Sequence, residues 1–220
     1  MVDQRGFTVS SVASPIGKYP IMEDFAPQLD AMQRAVRAAK ALGTPFIRIF
    51  SYQPPEDGDL DAIRDEVMSR IKQLTAIAKD NGVILILEND NNLYGSSDER
   101  VLDILQHCAS DALQSAFDPG NFVYNDVKPV DEAYPKLARY LTYVHVKDAT
   151  SEPKQFVPAG AGEGQIDRLL LKLKESGYTG YLSVEPHLHH YLPHASNPKR
   201  VVTAVRALKD LLARAEMAWE

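Results

Sequence analysis

The chain has a single cysteine among its 220 residues, Cys108, so no disulfide can close within it and a reducing compartment is expected. No apolar run approaches the ~18 residues that a membrane-spanning helix needs. Met1-Val2-Asp3-Gln4-Arg5 lacks the charged-then-apolar order of an export signal. The cytoplasm is therefore the expected location, with no membrane partner. Basic charge is in deficit, 24 Lys and Arg against 30 Asp and Glu for a net charge of −6, and this disfavours a nucleic-acid partner. Neither G-x-G-x-x-G nor G-x-x-x-x-G-K-[ST] occurs, so the phosphate-binding turn of a doubly wound nucleotide-binding sheet is missing. What remains is 45% apolar and 25% charged, which excludes a disordered chain, a collagen and a small disulfide scaffold. The material is ample for one soluble core.

Short β-rich apolar runs alternate with longer segments of helical period, with Gly or Pro between them. Strands are expected over residues 7–12, 45–50, 83–87, 114–117, 141–146 and 181–184. Helices are expected over 23–42, from an Asp59 N-cap to Asn81, and over 98–107, 130–138, 166–176 and 198–215. Phe25, Leu29, Met32, Val36 and Ala39 recur at three and four, the stripe of an amphipathic helix, and Gly43 ends it. Val83-Ile84-Leu85-Ile86-Leu87 has no polar alternation, as a strand covered on both faces requires. Six strands each followed by a helix, without a break in composition, predict one α/β domain over residues 1–220 with a parallel sheet.

The ends of those strands choose between open sheet and barrel. Strand three ends in Glu88-Asn89-Asp90, strand four in Asp118-Pro119-Gly120-Asn121, strand five in His145-Val146-Lys147-Asp148 and strand six in Glu185-Pro186-His187. Four consecutive strands deliver ionisable groups at one end, where a (β/α) barrel places its chemistry. Neighbouring parallel strands lie about 4.8 Å apart, so these tips converge in a barrel. Glu88, Asp118, His145 and Glu185 would then offer three carboxylates and an imidazole. Carboxylates crowded together repel one another unless a cation compensates them. A hard, oxygen-dominated set suits Mn²⁺ first, then Mg²⁺ or Co²⁺, and admits Zn²⁺. His107 reads as structural, and His187, His189, His190 and His194 as a loop with one member facing a substrate.

Leu85-Ile86-Leu87-Glu88-Asn89, Phe117-Asp118-Pro119-Gly120-Asn121, Val144-His145-Val146-Lys147-Asp148 and Leu182-Ser183-Val184-Glu185-Pro186 resemble the strand ends of the xylose isomerase-like TIM barrels. The likeness is to the sugar phosphate isomerase and epimerase group, which includes ketose 3-epimerases. The intervals of 30, 27 and 40 residues between the four acidic or imidazole positions each leave room for a strand, a helix and a loop. The resemblance implies that Glu88, Asp118, His145 and Glu185 hold a divalent metal, and that Glu88 and Glu185 pass a proton on opposite sides of a small sugar or sugar phosphate. It further implies substrate contacts from Lys18 and Arg48, in loops over the pocket, and from Asn121, Lys147 and His187. Asn121 stands where several epimerases carry a histidine, and Lys147 has the alternative of an ion pair with Asp148. Only six of a barrel's eight strands are readable, so a barrel lacking its first two βα units is expected: either a truncation that leaves edges in need of protection, or a gap that another chain, as in a homo-oligomer, or a rearranged element fills. A dehydratase on the same frame and a non-catalytic sugar-binding or assembly protein are the alternative functions.

Overall fold

A computed structural model describes residues 5–56 and 58–219. Met1 to Gln4, read above for an export signal, lie outside the described residues. The chain divides into two compact units, one up to Ala116 and one from Phe117 on.

The first unit repeats strand and helix: β1 (Val12–Ala13), α1 (Ala26–Leu42), β2 (Phe46–Ile49), α2 (Arg64–Asn81), β3 (Ile84–Glu88), α3 (Asp98–Cys108) and β4 (Leu113–Phe117), whose last residue opens the second unit. Its strands are parallel and ordered β1-β2-β3-β4. Ile47 sits opposite Leu85, and Leu85 opposite Leu113, so apolar side chains from successive strands share one layer. Leu85, Ile86 and Leu87 are all fully buried, as the unbroken apolar run requires. Met32, Val36 and Ala39 of α1 and Val67, Ile71, Leu74 and Ala78 of α2 are buried as well, the predicted stripes turned inward.

The second unit holds α4 (Pro119–Tyr124), α5 (Tyr134–Leu137), β5 (Leu141–Val146), β6 (Asp148–Ser151), β7 (Lys154–Val157), α6 (Ile166–Glu175), β8 (Tyr181–Val184) and α7 (Asn197–Arg214). β5 and β8 are parallel partners, while β6 and β7 form an antiparallel hairpin of their own. Leu169, Leu170 and Leu173 of α6 and Leu208, Leu211 and Leu212 of α7 close its core. Among the described residues there are six parallel strands, as the sequence predicts.

Three expectations need correction. The first strand is two residues long rather than 7–12, because Phe7 is exposed and only Val12 and Ala13 find partners on β2. Asp59 does not cap α2; its carboxylate accepts from Asp61 N and Ala62 N in a turn, and the helix starts at Arg64. The helix expected over 130–138 is broken into a wide π turn at Pro129–Ala133, the short α5 and a 3₁₀ turn at Ala138–Tyr140. Pro129 and Pro135 withhold the N–H groups that a continuous helix would use.

The loop after β1 is fixed to the end of β2. Ile16 O accepts from Phe50 N at 2.8 Å, Gly17 O from Tyr52 N at 2.6 Å, and Gln28 Oε1 from Gly17 N at 3.1 Å. Gly17 has φ +80°, and a Cβ there would stand 2.1 Å from Phe50 O. Gly17→Ala is therefore expected to lower the unfolding free energy by about 2–3 kcal/mol in urea melts. No helix among the described residues is long and apolar enough to cross a membrane.

Candidate functional site

In the first unit the loop and strand ends carry alternating charge. Glu88, the last residue of β3, is buried, and its Oε2 lies 3.1 Å from Arg48 Nη1 on neighbouring β2. The Arg48 guanidinium and the Lys18 ammonium each lie 4.6 Å from the Phe50 ring centroid, and Lys18 also pairs with Asp90. Asn89, between the two acids, is buried. Lys18, Arg48 and Glu88 thus fall where the sequence places them, at the C-terminal side of β2 and β3 or on the loop fastened to β2.

In the second unit three of the predicted ligands come together. One donor atom from each of Asp118, His145 and Glu185 lies within 4.8 Å of the others. Asp118 follows β4 and caps α4, its Oδ1 accepting from Asn121 N at 2.9 Å. This uses the Asp-Pro start that suits a helix N-terminus. His145 is buried in β5, its ring edge-on to Tyr143, with Nδ1 3.2 Å from Glu185 Oε1 beyond the end of β8. Asn121 is buried beside Asp118, and His187 Nε2 stands 3.5 Å from Glu185 Oε2.

Lys147 occupies the middle of this group. Its ammonium is 2.7 Å from Asp118 Oδ2 and 3.1 Å from Glu185 Oε2, on a side chain only 5% exposed. The alternative pairing with Asp148 is not what forms. Asp148 is turned to the loop 158–165, where its carboxylate accepts from Gly160 N, Gly162 N, Gly164 N and its neighbour Ala149 N at 2.8, 3.1, 2.7 and 2.8 Å. Adjacent residues in extended chain point to opposite sides, so Lys147 and Asp148 cannot serve the same partner. Burial raises the Asp148 carboxyl above its ordinary range, while the four amides pull it the other way. A Cβ on Gly162 would stand 2.3 Å from Ala149 O, so only glycine lets that amide come so close.

Sequence reasoning missed the β6–β7 hairpin and its aromatic face. Phe156 stacks on Tyr124 at 4.4 Å and 12°, meets the His187 ring edge-on at 5.5 Å, and has the Lys147 ammonium 5.1 Å from its centroid. The alternate spacing of Gly160, Gly162 and Gly164 was a legible sign of amides aimed at one acceptor. The hairpin strands are too short and polar to register. The lone thiol stays outside this chemistry, because burial pushes Cys108 up to about 11 and keeps it protonated at neutral pH.

The donor set fits a divalent cation: carboxylate oxygens and an imidazole are hard to borderline ligands, and acids held this close need positive charge between them. An α/β chain of parallel strands with its ionisable residues at their C-terminal ends has the arrangement of a TIM-barrel domain. The xylose isomerase-like TIM barrel family matches residues 1–211, and the chain belongs to that family. The uncharacterized protein MJ1311 of Methanocaldococcus jannaschii is 27% identical over 164 residues, which cover 71% of this chain and 56% of that protein. The match thus spans little more than half of that relative's length. A D-tagatose 3-epimerase-like protein superposes with a TM-score of 0.80 at 22% identity, covering 98% of this chain and 80% of the other. A xylose isomerase domain protein from Planctomyces limnophilus superposes at 0.78 and 23% identity, covering 98% and 81%. These likenesses show a TIM-barrel-like fold. Neighbours of the same fold include a Mycobacterium smegmatis protein in complex with magnesium, an IOLI protein with a zinc atom and the probable 3-DHS dehydratase AsbF of Bacillus anthracis.

Proposed function

We propose that the chain is a divalent-metal-dependent isomerase or epimerase of a small sugar, ketose or sugar phosphate, with Glu88, Asp118, His145 and Glu185 as its metal ligands. The observation that carries this reading is the convergence, at strand ends, of the buried Asp118 and His145 with the partly exposed Glu185. Glu88, on the first unit, is the fourth ligand of this proposal. It is the buried carboxylate that ends β3, and the family places chemistry at that end of the strands. Solved neighbours described with magnesium and with zinc support a divalent cation, and Mn²⁺ suits the same oxygen-rich set.

The bound cation would polarise a substrate carbonyl and stabilise the negative charge of an enediolate. The protein's own residues do the rest. Glu185 takes a proton from the carbon beside the carbonyl and Glu88 returns one on the opposite side, or the reverse. Lys147, Asn121 and His187 hold substrate oxygens on the second unit, and Lys18 and Arg48 on the first, where their positive charge suits a phosphate or an anionic hydroxyl. A neighbour described as a probable dehydratase favours one second reading, a lyase that starts with the same proton abstraction.

The test is proton exchange in D₂O with a panel of ketoses and ketose phosphates. With Mn²⁺ present, deuterium is expected to enter one substrate carbon beside the carbonyl, seen by NMR, and to stop entering after chelation. Loss of water from the substrate would shift the reading to the lyase. Metal uptake and measurable sugar binding with neither outcome would shift the reading to a non-catalytic sugar-binding protein.

A further inference from the structure

Lys147 stands among the same oxygens that the proposed cation would use. Its ammonium touches Asp118 Oδ2 at 2.7 Å and Glu185 Oε2 at 3.1 Å. On another side lies the Phe156 ring, 5.1 Å from centroid to ammonium, backed by Tyr124 and flanked by His187. An aromatic face attracts a cation without offering a lone pair that would draw it off the carboxylates. The backbone is fixed too: Asp148, the next residue, is locked to loop 158–165 by its amides, and Lys147 N donates to His145 O at 3.1 Å. Two carboxylates and one ring therefore hold a full positive charge inside the group.

We infer that Lys147 is a tethered competitor of the divalent cation: it compensates Asp118 and Glu185 when no metal is bound, and the metal must draw those carboxylates away from it to bind. The inference rests on the reading above that these carboxylates are metal ligands. Like charges within a few ångströms repel even where water screens them in part. Metal entry and release of the ammonium are thus coupled, and the same event that loads the cation frees Lys147 to reach a substrate oxygen. Phe156 is the positioning residue that sets how firmly the ammonium is held in the meantime.

Calorimetric titration of the chelator-treated, full-length protein with MnCl₂ tests this, beside thermal melts of the metal-free forms. Lys147→Met keeps the length of the side chain and removes its charge. It is expected to bind Mn²⁺ at least about tenfold more tightly and to melt at lower temperature without metal. Phe156→Leu leaves every charge in place and is expected to tighten Mn²⁺ by about two- to fivefold. It decides the matter alone if Lys147→Met does not fold. Unchanged or weaker Mn²⁺ binding in the folded variants, with normal binding by the unsubstituted protein, overturns the competition and leaves the metal reading standing. Failure of every form to take up Mn²⁺ overturns the metal reading and the competition together.

Discussion

Glu185→Gln is expected to slow deuterium exchange into a responsive ketose by about a hundred- to ten-thousandfold, the usual contribution of a positioned proton-transfer group. The amide keeps the size of the side chain but neither takes up nor returns a proton near neutral pH. In the native arrangement Glu185 Oε1 is 3.2 Å from His145 Nδ1, and Oε2 is 3.1 Å from the Lys147 ammonium. The substitution removes one negative charge from a group in which Asp118 still accompanies Lys147 at 2.7 Å. Some stability is therefore lost, and circular dichroism with a thermal melt must accompany the exchange measurement. A folded Glu185→Gln protein that exchanges at the original rate would remove Glu185 from the proton-transfer role and leave Glu88 to account for both steps.

How much of this was legible follows from how local each signal is. The strand ends were readable because a short, β-branched apolar run such as Ile84-Leu85-Ile86-Leu87, set off by Gly82, reads as a covered strand, and the first charged residue after it, Glu88, marks where the cover stops. The same logic located Asp118 after Phe117 and His145 within Val144-His145-Val146. It failed at β1, where an apolar sequence from Phe7 onward lacks a partner strand along most of its length and stays irregular. Pairing is a property of two segments, and one segment's composition cannot reveal it. It failed again at the hairpin, whose Thr150, Ser151, Lys154 and Gln155 carry no apolar alternation and are held by pairing of Asp148 with Val157 and of Ala149 with Phe156. Lys147 was recognised as a cation near the site, but its partners were not, because Asp148 is next to it in the chain while Asp118 and Glu185 are 29 and 38 residues away. The extended backbone sends Lys147 and Asp148 to opposite sides, so the distant carboxylates win over the adjacent one.

Asp148→Ala is expected to cost about 3–5 kcal/mol of unfolding free energy, the scale seen when a buried group that satisfies several donors is removed. The carboxylate is fully buried and receives four backbone N–H groups, three from the glycine loop and one from Ala149. Alanine leaves those amides without their acceptor in a space closed by Gly162 and Gly164, whose missing side chains made the approach possible. Asp148→Asn retains one acceptor oxygen but turns an NH₂ towards N–H donors, so it should recover only part of the loss. The pH dependence separates this from a simple cavity. Burial places the folded carboxyl above its unfolded value, so its favourable contribution is complete below the unfolded pKa and declines as pH rises through the folded one. The stability gap between the native protein and Asp148→Ala should therefore be widest below the unfolded carboxyl pKa and narrow as pH rises through the folded one, in urea melts run across a pH series. A gap that widens instead with rising pH would mean that the amides outweigh burial and that the loop holds a carboxylate more readily than an acid.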